Sequence, residues 1–125
     1  MLKSGGGSIV NLASQAGLRG YAISVPYAVS KAGVIHFTMV TASQYTEHGI
    51  RANAIAPGPV DTPQFRGSTA SAQMAEYRTD IHPMKRVGRP DEISNVILFL
   101  ASDESSFISG TTCLVDGGAW ASAKL

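Results

Sequence analysis

Hydrophobic positions fall along this chain in three short clusters and two helical repeats. Ile9, Val10 and Leu12 are compact and partly β-branched, and predict a strand over Ser8–Ala13 that Asn11 interrupts, suggesting a polar neighbour. Ala28, Ala32, Ile35, Met39 and Ala42 recur at helical spacing and predict a long helix from Tyr27 to about His48. Pro26 sits just before its start and Gly49 just after its end. Ile50–Ala56 reads as a second strand, covered on both faces. Pro57-Gly58-Pro59 and Pro63 then form a rigid turn leaving that strand. Residues 62–87 are polar and weakly periodic, with a short helix expected over Ala70–Ile81. Pro90, Asp91 and Glu92 open a further helix, placing acidic groups where backbone N–H groups lack partners. Ile93, Val96, Ile97, Leu98, Leu100 and Ala101 give it a broad apolar face ending near Ser102. A third strand, Thr111–Val115, is stopped by Asp116-Gly117-Gly118. The order strand, helix, strand, lid, helix, strand, with long crossovers, predicts a parallel α/β sheet with right-handed connections.

Composition narrows the picture. The 125 residues suit one modest domain, and 44% hydrophobic with 15% charged residues favours packing over disorder. A net charge of +1 offers no footprint for nucleic acid or an anionic membrane. No apolar run is long enough to span a bilayer, and the start MLKSGGGSIVNL lacks the features of a signal peptide. Cys113 is alone, and His36, His48 and His82 lack metal-ligand spacing, so neither a disulfide nor a metal site is expected. A cytoplasmic protein is the expectation.

The chemistry concentrates between Ser14 and Lys31. Ser14 leaves the first strand, and Tyr27 and Lys31 lie four residues apart on one helical face. A cation beside a phenol favours its ionised form and suits proton transfer. The plain alternatives are a tyrosine at a helix start with a solvated lysine one turn on, and a loop or capping serine. Asp61 beside Thr62 reads as a local turn cap, and His36 as a core or interface histidine. Lys85, Arg86 and Arg89 read as a solvated basic rim, with contact to an anion as the alternative.

Five segments together resemble the classical short-chain dehydrogenase/reductase family, nearest to its 3-oxoacyl-ACP-reductase-like and sugar or alcohol dehydrogenase-like members. They are GSIVNLAS, the YxxxK of Tyr27 and Lys31, IRANAIAPGPVDTP, RVGRPDEISNVILFLASDESSFISG and LVDGG. The resemblance implies a Rossmann-like three-layer α/β fold and an NAD(P)-dependent oxidoreductase that reduces carbonyls or oxidises alcohols by hydride transfer. It implies Tyr27 as general acid/base, Lys31 as the lysine that contacts the nicotinamide ribose and lowers the tyrosine pKa, and Ser14 as the group orienting the reacting oxygen. The thirteen-residue spacing from Ser14 to Tyr27 matches the family. Pro57, Gly58, Val60 and Thr62 match the PG-x-V-x-T segment that, with Tyr27 and Lys31, contacts the nicotinamide end of the cofactor. Residues 62–89 match the substrate lid.

Other family signatures have no counterpart in these residues. The TGxxxGxG turn, the adenosine-ribose selector, the NNAG segment and the relay asparagine are missing. Gly5-Gly6-Gly7 precedes a strand, whereas the pyrophosphate fingerprint follows one and opens a helix. By resemblance, residues 1–125 form a single truncated Rossmann-like domain supplying the last three strands of the family's 3-2-1-4-5-6-7 sheet. NAD and NADP stay equally open, because the selector is not in this stretch. Ser8–Ala13 becomes a sheet edge open to pairing. The implied partners are a second copy of the chain or a complementing amino-terminal half, with a small carbonyl or alcohol as substrate. The alternative is a non-catalytic remnant or oligomerising module.

Overall fold

The computed structural model describes residues 1–20, 24–67 and 82–122. Strands form where the apolar clusters stand: β1 at Gly7–Leu12, β2 at Ile50–Pro57 and β3 at Thr112–Val115. They make one parallel sheet in the order β1-β2-β3. Register pairs Val10 with Asn53 and Ile55 with Cys113. Parallel neighbours need crossovers, and helices supply them. Helix α1, Val25–Tyr45, joins β1 to β2, and helix α3, Pro90–Ala101, precedes β3. A five-residue helix α2, Pro63–Gly67, lies between β2 and α3. The expected helix over Ala70–Ile81 lies outside the described residues.

Successive strand residues point to opposite faces, and β2 shows what covers each. Ala54 packs with Ala13 and Ile35, which is the α1 face. Ile55 packs with Ile93 and Leu100, which is the α3 face. The result is a three-layer Rossmann-like arrangement with a short sheet. As the middle strand, β2 is the core: Ala52, Asn53, Ala54, Ile55 and Ala56 have no exposed surface. β1 lies at an edge, as expected.

The sequence pattern places the buried face of α1 incorrectly in part. Ile35 and Ala42 are buried, but Ala32 and Met39 are exposed, and the other buried positions are Thr38 and Thr41. Both threonines are tolerated there because each hydroxyl donates to the carbonyl one turn back, Val34 O at 2.7 Å and Phe37 O at 2.8 Å. Thr38 also accepts from Asn11 Nδ2 at 2.9 Å, the polar neighbour that Asn11 implied. The helix begins two residues earlier than expected, with Pro26 inside its first turn. After Tyr45 it tightens into a 3-10 turn at Thr46–His48, closed by Gly49 at φ 73°.

Buried polar groups fix the far end of the sheet. Arg51 Nη1 donates to Leu100 O, Ser105 Oγ and Ile108 O at 3.0–3.3 Å, and Nη2 donates to Ser102 O at 2.9 Å. Asn53 donates to Ile108 O at 2.8 Å and accepts from Thr111 N at 3.1 Å. The end of α3 and the approach to β3 are thereby tied to β2. Among the described residues no helix is long and apolar enough to cross a membrane, and no group of three or more His, Cys, Asp or Glu gathers as a metal site would require.

Candidate active site

The predicted chemistry assembles at the carboxyl end of the sheet, where open α/β sheets bind ligands. β1 is held to β2 up to its last turn, with Ala13 N donating to Ile55 O at 2.8 Å. Ser14 follows in an extended conformation and caps the 3-10 turn Gln15–Gly17, its Oγ accepting from Ala16 N at 3.2 Å. Gly17 then lies against the backbone of α1. A Cβ there would stand 2.6 Å from Lys31 C, so only glycine lets the loop sit down on that helix.

Tyr27 and Lys31 occupy the first turns of α1 beside this loop. Lys31 Nζ donates to Leu12 O at 3.0 Å and lies 5.7 Å from the Tyr27 ring centroid. Tyr27 is partly exposed, 38% of its surface being open. Strand end, phenol and ammonium thus converge on one spot. Among the described residues no hydrogen bond joins Ser14 to Tyr27, since the Ser14 hydroxyl faces its own turn.

A second wall comes from the turn after β2. Pro57 ends the strand and Gly58 N donates to Val115 O at 3.0 Å. A Cβ on Gly58 would stand 2.9 Å from the Asp116 Cβ, so this turn and the one after β3 meet backbone to backbone. Val60 forms a parallel bridge to Gly88, flanked by Gly88 N to Pro59 O at 3.0 Å and Asp61 N to Gly88 O at 2.9 Å. The two ends of the 62–89 segment are therefore joined at its base.

Local ion pairing corrects one sequence expectation and adds partners to a second, the solvated basic rim. Thr62, not Asp61, is the turn cap, its Oγ1 accepting from Phe65 N at 3.2 Å. Asp61 instead holds Arg66 through two hydrogen bonds at 2.6 and 2.8 Å, which lower its carboxyl pKa. The basic rim is likewise paired. Arg86 binds Glu92 at 2.6 and 2.8 Å, and Arg89 binds Asp91 at 3.1 Å twice. Glu92 also accepts from Arg89 N at 2.7 Å, closing the first turn of α3. The Arg86 hydrogen bonds, then the Arg89 N–H, pull the Glu92 pKa down to about 2. His36 is exposed on α1, not a core residue.

The turn after β3 stands where Asp116-Gly117-Gly118 predicted it, but what it holds was not foreseen. Asp116 accepts from Gly118 N at 3.0 Å and Trp120 N at 2.8 Å, and the guanidinium of Arg19 lies 5.1 Å from the Trp120 ring centroid. A D-G-G run flags the turn, but nothing in the spacing pairs Trp120 with Arg19.

A short parallel sheet covered by helices on both faces defines a Rossmann-like protein. Comparison with known proteins identifies the family. Residues 1–119 match the family described as enoyl-(acyl carrier protein) reductase, and the chain belongs to the classical short-chain dehydrogenases/reductases. It is 43% identical over 118 residues to the 3-oxoacyl-[acyl-carrier-protein] reductase of Thermotoga maritima, covering 94% of this chain and 47% of that one. It is 42% identical over 125 residues to the 2-keto-3-deoxy-L-fuconate dehydrogenase of Xanthomonas campestris, covering 94% and 41%. The crystal structure of the 3-oxoacyl-[acyl-carrier protein] reductase of Brucella melitensis superimposes with a TM-score of 0.87 at 37% identity, over 96% of this chain and 44% of that one. Similar chains from Agrobacterium tumefaciens and Beutenbergia cavernae, with TM-scores of 0.89 and 0.91, were solved with bound NADP. The chain spans about half the length of the curated relatives it matches.

Proposed function

We propose that this chain carries the catalytic and nicotinamide-side half of an NAD(P)-dependent oxidoreductase acting on a small carbonyl or alcohol. The observation that carries the reading is the meeting of Lys31 Nζ, the Tyr27 ring and the strand leading to Ser14 at the carboxyl end of β1. The residues fit the cofactor. Gly58 leaves the turn after β2 without a side chain where a Cβ would strike Asp116, and Lys31 already reaches a carbonyl at the sheet end. Pro57, Gly58, Val60 and Thr62 would hold the nicotinamide end, with Tyr27 and Lys31 on its ribose side. When bound, NAD or NADP supplies or accepts the hydride.

The side chains perform the proton chemistry. Tyr27 gives a proton to the substrate oxygen in reduction and takes it back in oxidation. Lys31 holds its ammonium beside the phenol ring, 5.7 Å from the centroid. Ser14, released from Ala16 N, orients the reacting oxygen. The residues from 62 to 89 form the substrate lid, seated on the Val60–Gly88 bridge. Residues 1–125 act as one domain in the cytoplasm. The adenosine side is furnished by a complementing amino-terminal half or by a second copy of the chain.

Calorimetric titration of the chain with NADH and NADPH, alone and mixed with such a half, tests the reading. Micromolar binding supports it, and Tyr27→Phe then removes turnover while cofactor binding survives. A folded sample that binds neither cofactor up to millimolar concentration, alone or complemented, refutes it. One observation favours a second reading, a non-catalytic assembly module. Large apolar side chains stand exposed on α1 and α3, Val25 at 77%, Phe37 at 62% and Leu98 at 70%, and β1 is an edge strand.

A further inference from the structure

The loop that carries Ser14 is held from three directions, and two of them are local. Its own hydrogen bonds, Gly17 N to Ser14 O at 3.0 Å and Leu18 N to Gln15 O at 3.1 Å, make it a stiff unit. Gly17 seats that unit on the Lys31 backbone. The third hold comes from the opposite end of the chain. Arg19, at the end of the loop, lays its guanidinium 5.1 Å from the Trp120 ring centroid. Trp120 is itself fixed. Its backbone N–H donates to Asp116 Oδ2 at 2.8 Å, the same carboxylate takes Gly118 N at 3.0 Å, and Ala119 between them is 1% exposed. Gly117 and Gly118, at φ 65° and 83°, give the turn the left-handed backbone it needs. Since β1 and β3 are separated by β2, this contact spans the whole sheet at its carboxyl end.

We propose that Trp120 is a positioning residue for Ser14, acting through Arg19. The Asp116 turn presents the indole, the indole holds the guanidinium, and the guanidinium fixes the loop whose first residue meets the substrate oxygen. The inference rests on the role proposed above for Ser14. Trp120 lies just beyond the residues matched to the family, 1–119. Arginine over an indole is a directional contact, stronger with tryptophan than with other rings and lost with an aliphatic side chain.

The test is amide hydrogen exchange on the full 125-residue chain, which needs neither cofactor nor turnover. In Trp120→Leu, exchange at Ala16 and Gly17 accelerates about fivefold, the value expected for losing a partly exposed cation–π contact, while amides of β2 keep their rates. Trp120→Phe, which keeps an aromatic face, stays within about twofold of the parent. Unchanged rates at Ala16 and Gly17 in Trp120→Leu overturn the proposal, and so does an equal acceleration in β2, which marks a general loss of stability. Trp120 is the sole tryptophan of the sequence, so its emission reads the contact directly. Arg19→Met shifts that emission and speeds the same two amides. A spectrum and rates identical to the parent overturn the stacking, including where Trp120→Leu does not fold. Should exchange behave as stated while cofactor titration fails, the clamp stands and the catalytic reading falls.

Discussion

Replacing Arg51 by methionine tests whether a single cation holds the far end of the fold. Its guanidinium donates to three backbone carbonyls, Leu100 O, Ser102 O and Ile108 O, and to Ser105 Oγ, at 2.9–3.3 Å. These groups lie around the carboxyl end of α3, where the last carbonyls lack intrahelical partners and the helix dipole favours positive charge. Methionine keeps the apolar stem and removes all four hydrogen bonds. Summed naively at ~1.5–3 kcal/mol per charged hydrogen bond, the loss would reach about 6–12 kcal/mol. Three of the four bonds share one nitrogen, Ser105 Oγ also donates to Leu100 O and Ser102 O, and the side chain is only half-buried, so water reaches it. The expected loss is therefore about 2–4 kcal/mol. Urea denaturation followed by circular dichroism reads it as a fall in midpoint of about 1–2 M with an unchanged slope. Arg51→Lys keeps a point charge without the fork and recovers about half of that. A loss under about 0.5 kcal/mol, or a lysine variant equal to the parent, would refute the reasoning.

Gly17→Ala drives a methyl to 2.6 Å from Lys31 C and costs about 1–3 kcal/mol in thermal denaturation, whereas Gly20→Ala, with open space around it, leaves the midpoint within a degree or two, roughly. Thr38→Val strands the Asn11 amide and costs about 1–3 kcal/mol, and adding Asn11→Leu recovers most of it, since both partners are then apolar. The Glu92 carboxyl has a folded pKa of about 2 against an ordinary 4.5. Its contribution to stability is complete above the ordinary value and is lost as pH falls through about 2, so a carbon-detected titration of Glu92 shows no transition near 4.5.

The strands were legible because their apolar residues cluster without helical spacing, and Ile50–Ala56 announced a doubly covered strand by lacking alternation. The acidic start of α3 was legible from Pro90-Asp91-Glu92: Glu92 takes the Arg89 N–H of the first turn, and the two carboxylates pair Arg86 and Arg89 as well. The buried stripe of α1 was only partly readable. Thr38 and Thr41 count as polar in any periodicity, yet their hydroxyls satisfy themselves on the preceding turn and leave a methyl for the core. Thr62 caps the turn in place of Asp61 because either side chain can do so, and the position of Arg66 draws the Asp61 carboxylate away. Arg19 and Trp120 were invisible as a pair, since two residues far apart in sequence carry no joint pattern until the sheet brings their loops together.

The surroundings of Ser14 and Lys31 are built from contacts inside this chain. Ala13 N on Ile55 O fixes the strand end, Gly17 fixes the loop on α1, and Gly58 N on Val115 O joins the other two strand ends. One contact differs in kind. Gly7 N and Ala13 N both point to β2, and backbone groups alternate along a strand, so the groups of Ser8, Val10 and Leu12 point to the open edge. The carbonyl that Lys31 Nζ binds, Leu12 O, is therefore an edge carbonyl. A strand pairing with β1 at that level would present an N–H to the same oxygen. Lys31 and the sheet's free edge thus meet at one atom, so the position of Lys31 is sensitive to whether β1 has a neighbour, while Gly58 is tied to the end of β3 through its own N–H.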